Sequence, residues 1–536
     1  MRFTSALTIL LCASAGSAAP PDVKSLFPMG AGLGTTTEIV AGGKLNQPGT
    51  SVWCSEDSLN FEIPEKGDSF KVTVPEDAMP GLHWVRFANG EGATSLLPFV
   101  VGSTLPEIKE AEPNNGIAKA HKLDGPVVAN GNLGASGDVD LFAISAKKGQ
   151  TLVAAADANW RLAAPVDMVM QVLRPNGTIA AQNDDDHGFD PLIAIPITQD
   201  GIWFVRVFGF PAKPNSSIRF AGGADYRYRL TITTGPFANH AVPSVVTSET
   251  NSVKLSGWNL TGALEKPIAV DSLVGDAFGL KDVASTVPVS KAAGPVVIEA
   301  EPCDREKPAT ISAGVVACGV VGKPKDEDVF VFSAKKGERL NFRVESRALG
   351  FPLDAILTVI DANGAIVTET DDASRNVFDP VLKFTAGSDG DYRICIRDLF
   401  EKGSWRFAYR LYCEKPASSV VLAAKADVFS VKQGESLEIP VTVTRNENFA
   451  EDVAISVKGL PDGVTAETVK SESKGDSAKA VKLTVKAETA FSGPIQIVGN
   501  YAGKFEVLVT APLTTFNTKT DSFWLTVVAR KDEPKK

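Results

Sequence analysis

Histidine is scarce in this sequence, at four residues in 536, and the usual machinery of secreted hydrolases is missing with it. No HExxH occurs, so no helix would offer zinc two imidazoles and a general base. No GxSxG occurs, so no nucleophile elbow is evident. His83, His121, His187 and His240 fall in separate segments without metal-ligand spacing and read as surface or core histidines. After the N-terminus, no apolar run approaches the roughly 18 residues that cross a bilayer, which argues against membrane insertion. A basic excess is also lacking: the formal charge is -10, which disfavours nucleic acid as a partner.

What is present is turn chemistry. The 46 Gly and 33 Pro, spread among short Val, Ile, Phe and Thr runs, read as many strands punctuated by turns. The predicted class is all-β, a series of sandwich domains, since a chain this long divides into cores of about 100–150 residues. Residues 1–19 read as a cleavable secretion signal: Arg2, an apolar stretch from Ala6 to Cys12, then small residues from Ala13 to Ala19, with cleavage after Ala15 or Ala18. Leu11 before Cys12 argues against a lipoprotein anchor. The tail at 529–536 has nothing apolar to bury and is expected to be disordered.

The middle of the chain repeats itself. EAEPNN at Glu110 to Asn115 recurs as EAEPCD at Glu299 to Asp304, and GDVDLFAISAKKGQ from Gly137 recurs as KDEDVFVFSAKKGE from Lys325. The parallel runs on through Phe189-Asp190-Pro191 against Phe378-Asp379-Pro380 and Tyr228-Arg229-Leu230 against Tyr409-Arg410-Leu411. Two homologous domains follow, at 107–235 and 296–415, each expected to be one sandwich of two packed sheets.

These repeats resemble the bacterial pre-peptidase C-terminal (PPC) domain family, through E-x-E-x-N, D-x-D before alternating Phe, Lys-Lys-Gly, an Asp-Asp loop and a closing Asp-Gly strand. The resemblance implies a jelly-roll-like sandwich appended to secreted peptidases and other surface proteins, and says little about function. Such modules accompany peptidases, and Gly49-Thr50-Ser51 superficially resembles a subtilase serine, but the flanking catalytic blocks are absent and strands surround it. Residues 21–103 resemble an immunoglobulin-like IPT/TIG module. Residues 236–295 resemble the opening of another, either truncated or a bridging β element. Residues 417–528 read as an immunoglobulin-like sandwich.

The carboxylates carry the most chemistry. Glu110 and Glu112 share a face if extended, as do Asp138 and Asp140, and Asn114 adds a carbonyl oxygen. Calcium takes six to eight such hard oxygen ligands. In relatives of the family a calcium site joins an N-terminal acidic segment to the D-x-D loop. The resemblance implies Glu110, Glu112, Asn114, Asp138 and Asp140 for the first copy, and Glu299, Glu301, Asp304, Asp326 and Asp328 for the second. There Cys303 stands for Asn114, which weakens the site. The alternative is that both strings are solvated linker and turn residues. The Asp184-Asp185-Asp186 and Asp371-Asp372 loops read as turns with side chains bonded to backbone amides.

Cys303 and Cys318 replace Asn114 and Asn130 together, the pattern expected of a disulfide in an oxidising compartment. Cys395 and Cys413 replace Arg206 and Ile232 together, but strand parity turns Cys395 outward, so that pair requires a bulge or an edge position. Cys54 is left over, either buried and free or available to a partner. Trp160, Trp203, Trp258 and Trp405 read as core fillers, with a ligand platform as the alternative. The expectation is a secreted or periplasmic, non-catalytic binding or adhesion protein, its sandwiches acting as spacers that present loops to a surface protein or polysaccharide. An enzyme-associated scaffold, an unrecognised hydrolase and a structural cell-envelope component remain alternatives.

Overall fold

The structure is a computed structural model that describes residues 19–46, 49–216 and 219–530; the expected leader and most of the tail lie outside these. It is almost entirely β, as the turn-rich composition requires.

Each repeat is built from two five-stranded sheets. In the first copy one sheet orders Glu107–Lys109, Val127–Asn132, Arg227–Thr233, Thr151–Asp157 and Leu192–Pro196. The other orders His121–Leu123, Asp140–Ala146, Gly201–Pro211, Val166–Leu173 and Ile179–Asn183. Alternate residues of both sheets (Phe142, Ile144, Val205, Val207, Leu230) meet in one core, as period-two burial demands. The second copy repeats the order, with Phe330, Phe332, Ile394, Ile396 and Leu411 in the equivalent places.

This topology places the acidic segment. Glu107–Lys109 lies on one sheet and His121–Leu123 on the other, each pairing in parallel with the strand beside it. The residues between them must therefore cross from sheet to sheet over one end of the sandwich, above the start of Asp140–Ala146.

Residues 22–101 form two further sheets around Ile39, Val72, Phe87 and Phe99. Residues 237–291 form small two- and three-stranded sheets with a core of their own at Val253, Val287 and Val289. The last module, from Ser419 to Val528, folds one eleven-stranded network around Ile439, Leu483, Val509 and Leu525.

The modules are not strung out as spacers. Arg86 of the first module, fully buried, donates to Asp427 of the last at 2.6 Å, and Ser95 donates to the same carboxylate. Trp84 meets Phe516 edge-on at 5.4 Å. Between the repeats, the bridging module contributes His240, stacked on Trp405 at 5.8 Å, and Trp258, edge-on to Trp405 at 5.1 Å. Arg410 of the second copy reaches Ser244 of the bridge at 2.9 and 3.0 Å.

The expected disulfides are corrected by these placements: Cys54, Cys303, Cys318, Cys395 and Cys413 are all free. Cys303 points into the second repeat's core and donates to the Val329 carbonyl. Cys318 sits on the opposite face of its sheet, against Val245 of the bridge. Cys413 lies in the core, while Cys395 packs outside it with Val329 and Ile360. Paired substitution in the sequence does not bring sulfurs together here, because Cys303 and Cys413 turn into the core while Cys318 and Cys395 turn out of it.

Candidate cation sites

In the first repeat the crossing segment brings Glu110 and Glu112 over Asp140, with carboxylate oxygens from all three within 4.8 Å of one another. The second repeat brings Glu299, Glu301 and Asp328 together in the same way. Local bonds hold each segment. Glu110 accepts from the Asn132 amide at 2.6 Å, and Glu299 from the Val320 amide at 2.8 Å. The Ala111 amide donates to His121 Nδ1 at 3.2 Å, and the Leu141 amide to the Asn114 carbonyl, also at 3.2 Å.

A tyrosine closes each site from below. Tyr228 Oη lies 2.6 Å from Asp140 Oδ2 and 2.9 Å from Glu110 Oε2; Tyr409 Oη lies 2.8 Å from Asp328. The ring reaches this position only because its cross-strand neighbour is glycine. A Cβ on Gly131 would stand 2.1 Å from Tyr228, and one on Gly319 2.3 Å from Tyr409. One hydroxyl proton satisfies one carboxylate, which leaves the others to be neutralised by a proton or a cation.

The electrostatics say the same. Burial, and then the Glu110 charge, push Asp140 up to about 9, and burial with the Glu299 charge does the same to Asp328. Glu299 is pushed up to about 7, chiefly by burial. Holding all three groups ionised without a counter-charge is costly. Asp140 is fully buried, yet its Oδ1 has no hydrogen-bond partner, and both polar atoms of fully buried Asn114 also lack one. The unpartnered Asp140 oxygen among converging carboxylates fits a hard divalent cation such as calcium.

The expected ligand sets are only partly brought together. Asp138 is not in the converging trio: it accepts from the Gly134 amide at 2.7 Å and from Asn115 at 2.7 Å, holding the loop. Asp326 likewise accepts from the Gly322 amide at 2.8 Å, and Asp304 from the amides of Glu306 and Lys307. Cys303 occupies the place of Asn114, and its Sγ donates to the Val329 carbonyl within the core.

The Asp-Asp loops are also corrected. Asp186 does not bond its own backbone; it pairs with Arg406 and His187. The amide-binding carboxylates are Asp190 and Asp379. Asp190 accepts from Ala158, Asn159 and Trp160, and Asp379 from Ser346, Arg347 and Ala348. The repeated Phe-Asp-Pro already marked both positions.

Residues 138–209 and 326–398 match the bacterial pre-peptidase C-terminal domain. The chain carries two PPC domains. Both matched segments begin at the D-x-D loop, so Glu110, Glu112, Glu299 and Glu301 lie just before them. A protein of Deinococcus radiodurans named as a probable subtilase-type serine protease is 38% identical over 74 residues, 14% of this chain and 10% of the relative. The match thus spans about a tenth of that relative's length. A protein from Eubacterium rectale described as secreted aligns with 39% of this chain and 72% of its own, at 9% identity and a TM-score of 0.17. The Bacteroides ovatus glucan-utilization protein SGBP-B, solved with a mixed-linkage heptasaccharide, aligns over 74% of each chain at 8% identity and a TM-score of 0.14. Scores this low carry no argument.

Proposed function

We propose that this chain is a secreted or periplasmic, non-catalytic binding or adhesion protein whose PPC domains hold divalent cations, calcium foremost. Its ligand would be a surface protein or polysaccharide. The reading rests on one observation, the duplicated convergence of Glu110, Glu112 and Asp140 and of Glu299, Glu301 and Asp328. Its oxygen-only donors and unpartnered Asp140 Oδ1 support a hard cation over zinc.

Bound there, calcium would supply the positive charge that the trio lacks. Glu110 and Glu112 would then fasten the crossing segment to the start of Asp140–Ala146, with Tyr228 orienting the buried carboxylates from below. Asn114 would make the first site stronger than the second. Equilibrium dialysis tests this: calcium should be retained by the full chain, and retention should fall in Asp140→Asn. Equal retention by wild type and an Asp140→Asn/Asp328→Asn double variant would reject the assignment.

The protease relative favours a second reading, an enzyme-associated scaffold or an unrecognised hydrolase. Hydrolysis of casein by the purified chain alone would replace the non-catalytic reading.

A further inference from the structure

The cation site of the first PPC domain opens into a cavity of about 650 Å³ whose wall comes partly from the first module, through Phe27. Glu110, Glu112 and Lys109 line it, and the Lys109 ammonium donates one of its three protons to the Glu38 carbonyl of the first module at 3.3 Å. The chain's own donors brought together at the site are three carboxylates. Calcium takes six to eight oxygens, so an ion held by one oxygen from each carboxylate would keep positions open to further oxygens, and the cavity is the side from which they would come.

The second copy differs at each of these positions. Ile298 stands where the first copy has Lys109, Val320 where it has Asn132, and Asp304 where it has Asn115. These three positions in the first copy all line the cavity.

We infer that the first PPC domain binds a carboxylate-bearing saccharide in this cavity, its carboxylate shared between the bound cation and the Lys109 ammonium and its ring laid against Phe27. The inference rests on the cation reading above and names the ligand class for the same site. Each part of the cavity selects one feature. An anion is repelled by Glu110 and Glu112 unless the cation is bound. Lys109 distinguishes a uronate from a neutral sugar, and Phe27 gives the apolar face of a pyranose ring a surface on which to lie. Such a ligand would bridge two modules, since Phe27 belongs to the first and Lys109 to the first strand of the repeat.

Titration calorimetry on the full chain tests this in two stages, calcium first and trigalacturonate second. The expected result is calcium binding followed by saturable trigalacturonate binding that vanishes with chelator. Lys109→Ala should weaken the second stage by about tenfold, the loss of one charge-assisted contact, and leave the first within about twofold. Phe27→Ala should also weaken only the second stage. Calcium binding without trigalacturonate binding would overturn this inference and leave the cation reading standing; no calcium binding would overturn both. Equal binding of neutral galactotriose would overturn the role given to the carboxylate, and equal binding of triglutamate would overturn the saccharide assignment.

Discussion

Arg406 of the second PPC domain donates through Nη2 to both carboxylate oxygens of Asp186 in the first, at 2.9 and 2.7 Å, across 220 residues of chain. The same carboxylate holds His187 Nδ1 at 3.0 Å, and a Cβ on Gly350 of the second domain would collide with the His187 ring. Burial alone would raise Asp186, but the bonds from His187 and Arg406 outweigh it and hold the carboxyl below its usual range. The guanidinium also lies 5.5 Å from the Trp258 ring centre. One loop of the first repeat is thus latched to the second.

The latch should show as coupling. In a double-mutant cycle of Asp186→Ala and Arg406→Ala, urea unfolding should give an interaction energy of about 1–3 kcal/mol, as for neighbours in one network. A value near zero would make the pair a surface accident.

Acid should loosen the same junction through His240. Burial, and then the Arg406 charge, depress its pKa to about 4 from an ordinary 6.5; Asn239 Oδ1 lies 3.2 Å from Nδ1, and Trp405 and Phe351 pack on the ring. A depressed base contributes stability that is whole above its unfolded pKa and is lost as pH falls through the folded one. At about 1.4 kcal/mol per unit, the loss reaches ~3 kcal/mol. His240→Phe should therefore lose less stability than wild type between about pH 7 and about pH 4.5. Parallel losses would remove His240 from the account.

The clasp between the ends of the chain is a buried pair with poor compensation, since Arg86 Nε and Nη1 have no partners. Burial lowers the guanidinium pKa to about 10. Asp427→Ala should cost about 3–5 kcal/mol by stranding that charge, whereas Arg86→Met together with Asp427→Leu should recover most of it. Thermal unfolding of both variants measures the difference, and equal losses would contradict the stranded-charge explanation.

Without reductant, denatured protein should show Cys54, Cys303, Cys318, Cys395 and Cys413 all as free thiols. A thiol titration that finds two fewer would restore one of the disulfides expected from the sequence.

The strands, the duplication and the approach of Glu110, Glu112 and Asp140 were legible because each depends on period-two alternation and on comparison of the two copies. Asp138 stands outside the trio because facing the same way as Asp140 does not say where a loop turns; its carboxylate folds back onto Gly134 and Asn115. Cys303 and Cys318 changed together, but Cys303 turns into the core from the crossing segment while Cys318 leaves its strand on the side of the bridge, a fact that only register and packing reveal. The Asp186–Arg406 latch and the Arg86–Asp427 clasp join segments 220 and 341 residues apart. No local pattern encodes such contacts.

Calorimetric unfolding of the full chain with and without millimolar calcium tests the central claim most directly, because a ligand that binds only the folded state must stabilise it, by about 2.7 kcal/mol at a hundredfold excess over Kd. The account predicts a higher unfolding temperature with calcium and no shift in the Asp140→Asn/Asp328→Asn double variant. An unchanged wild-type thermogram at saturating calcium would contradict it.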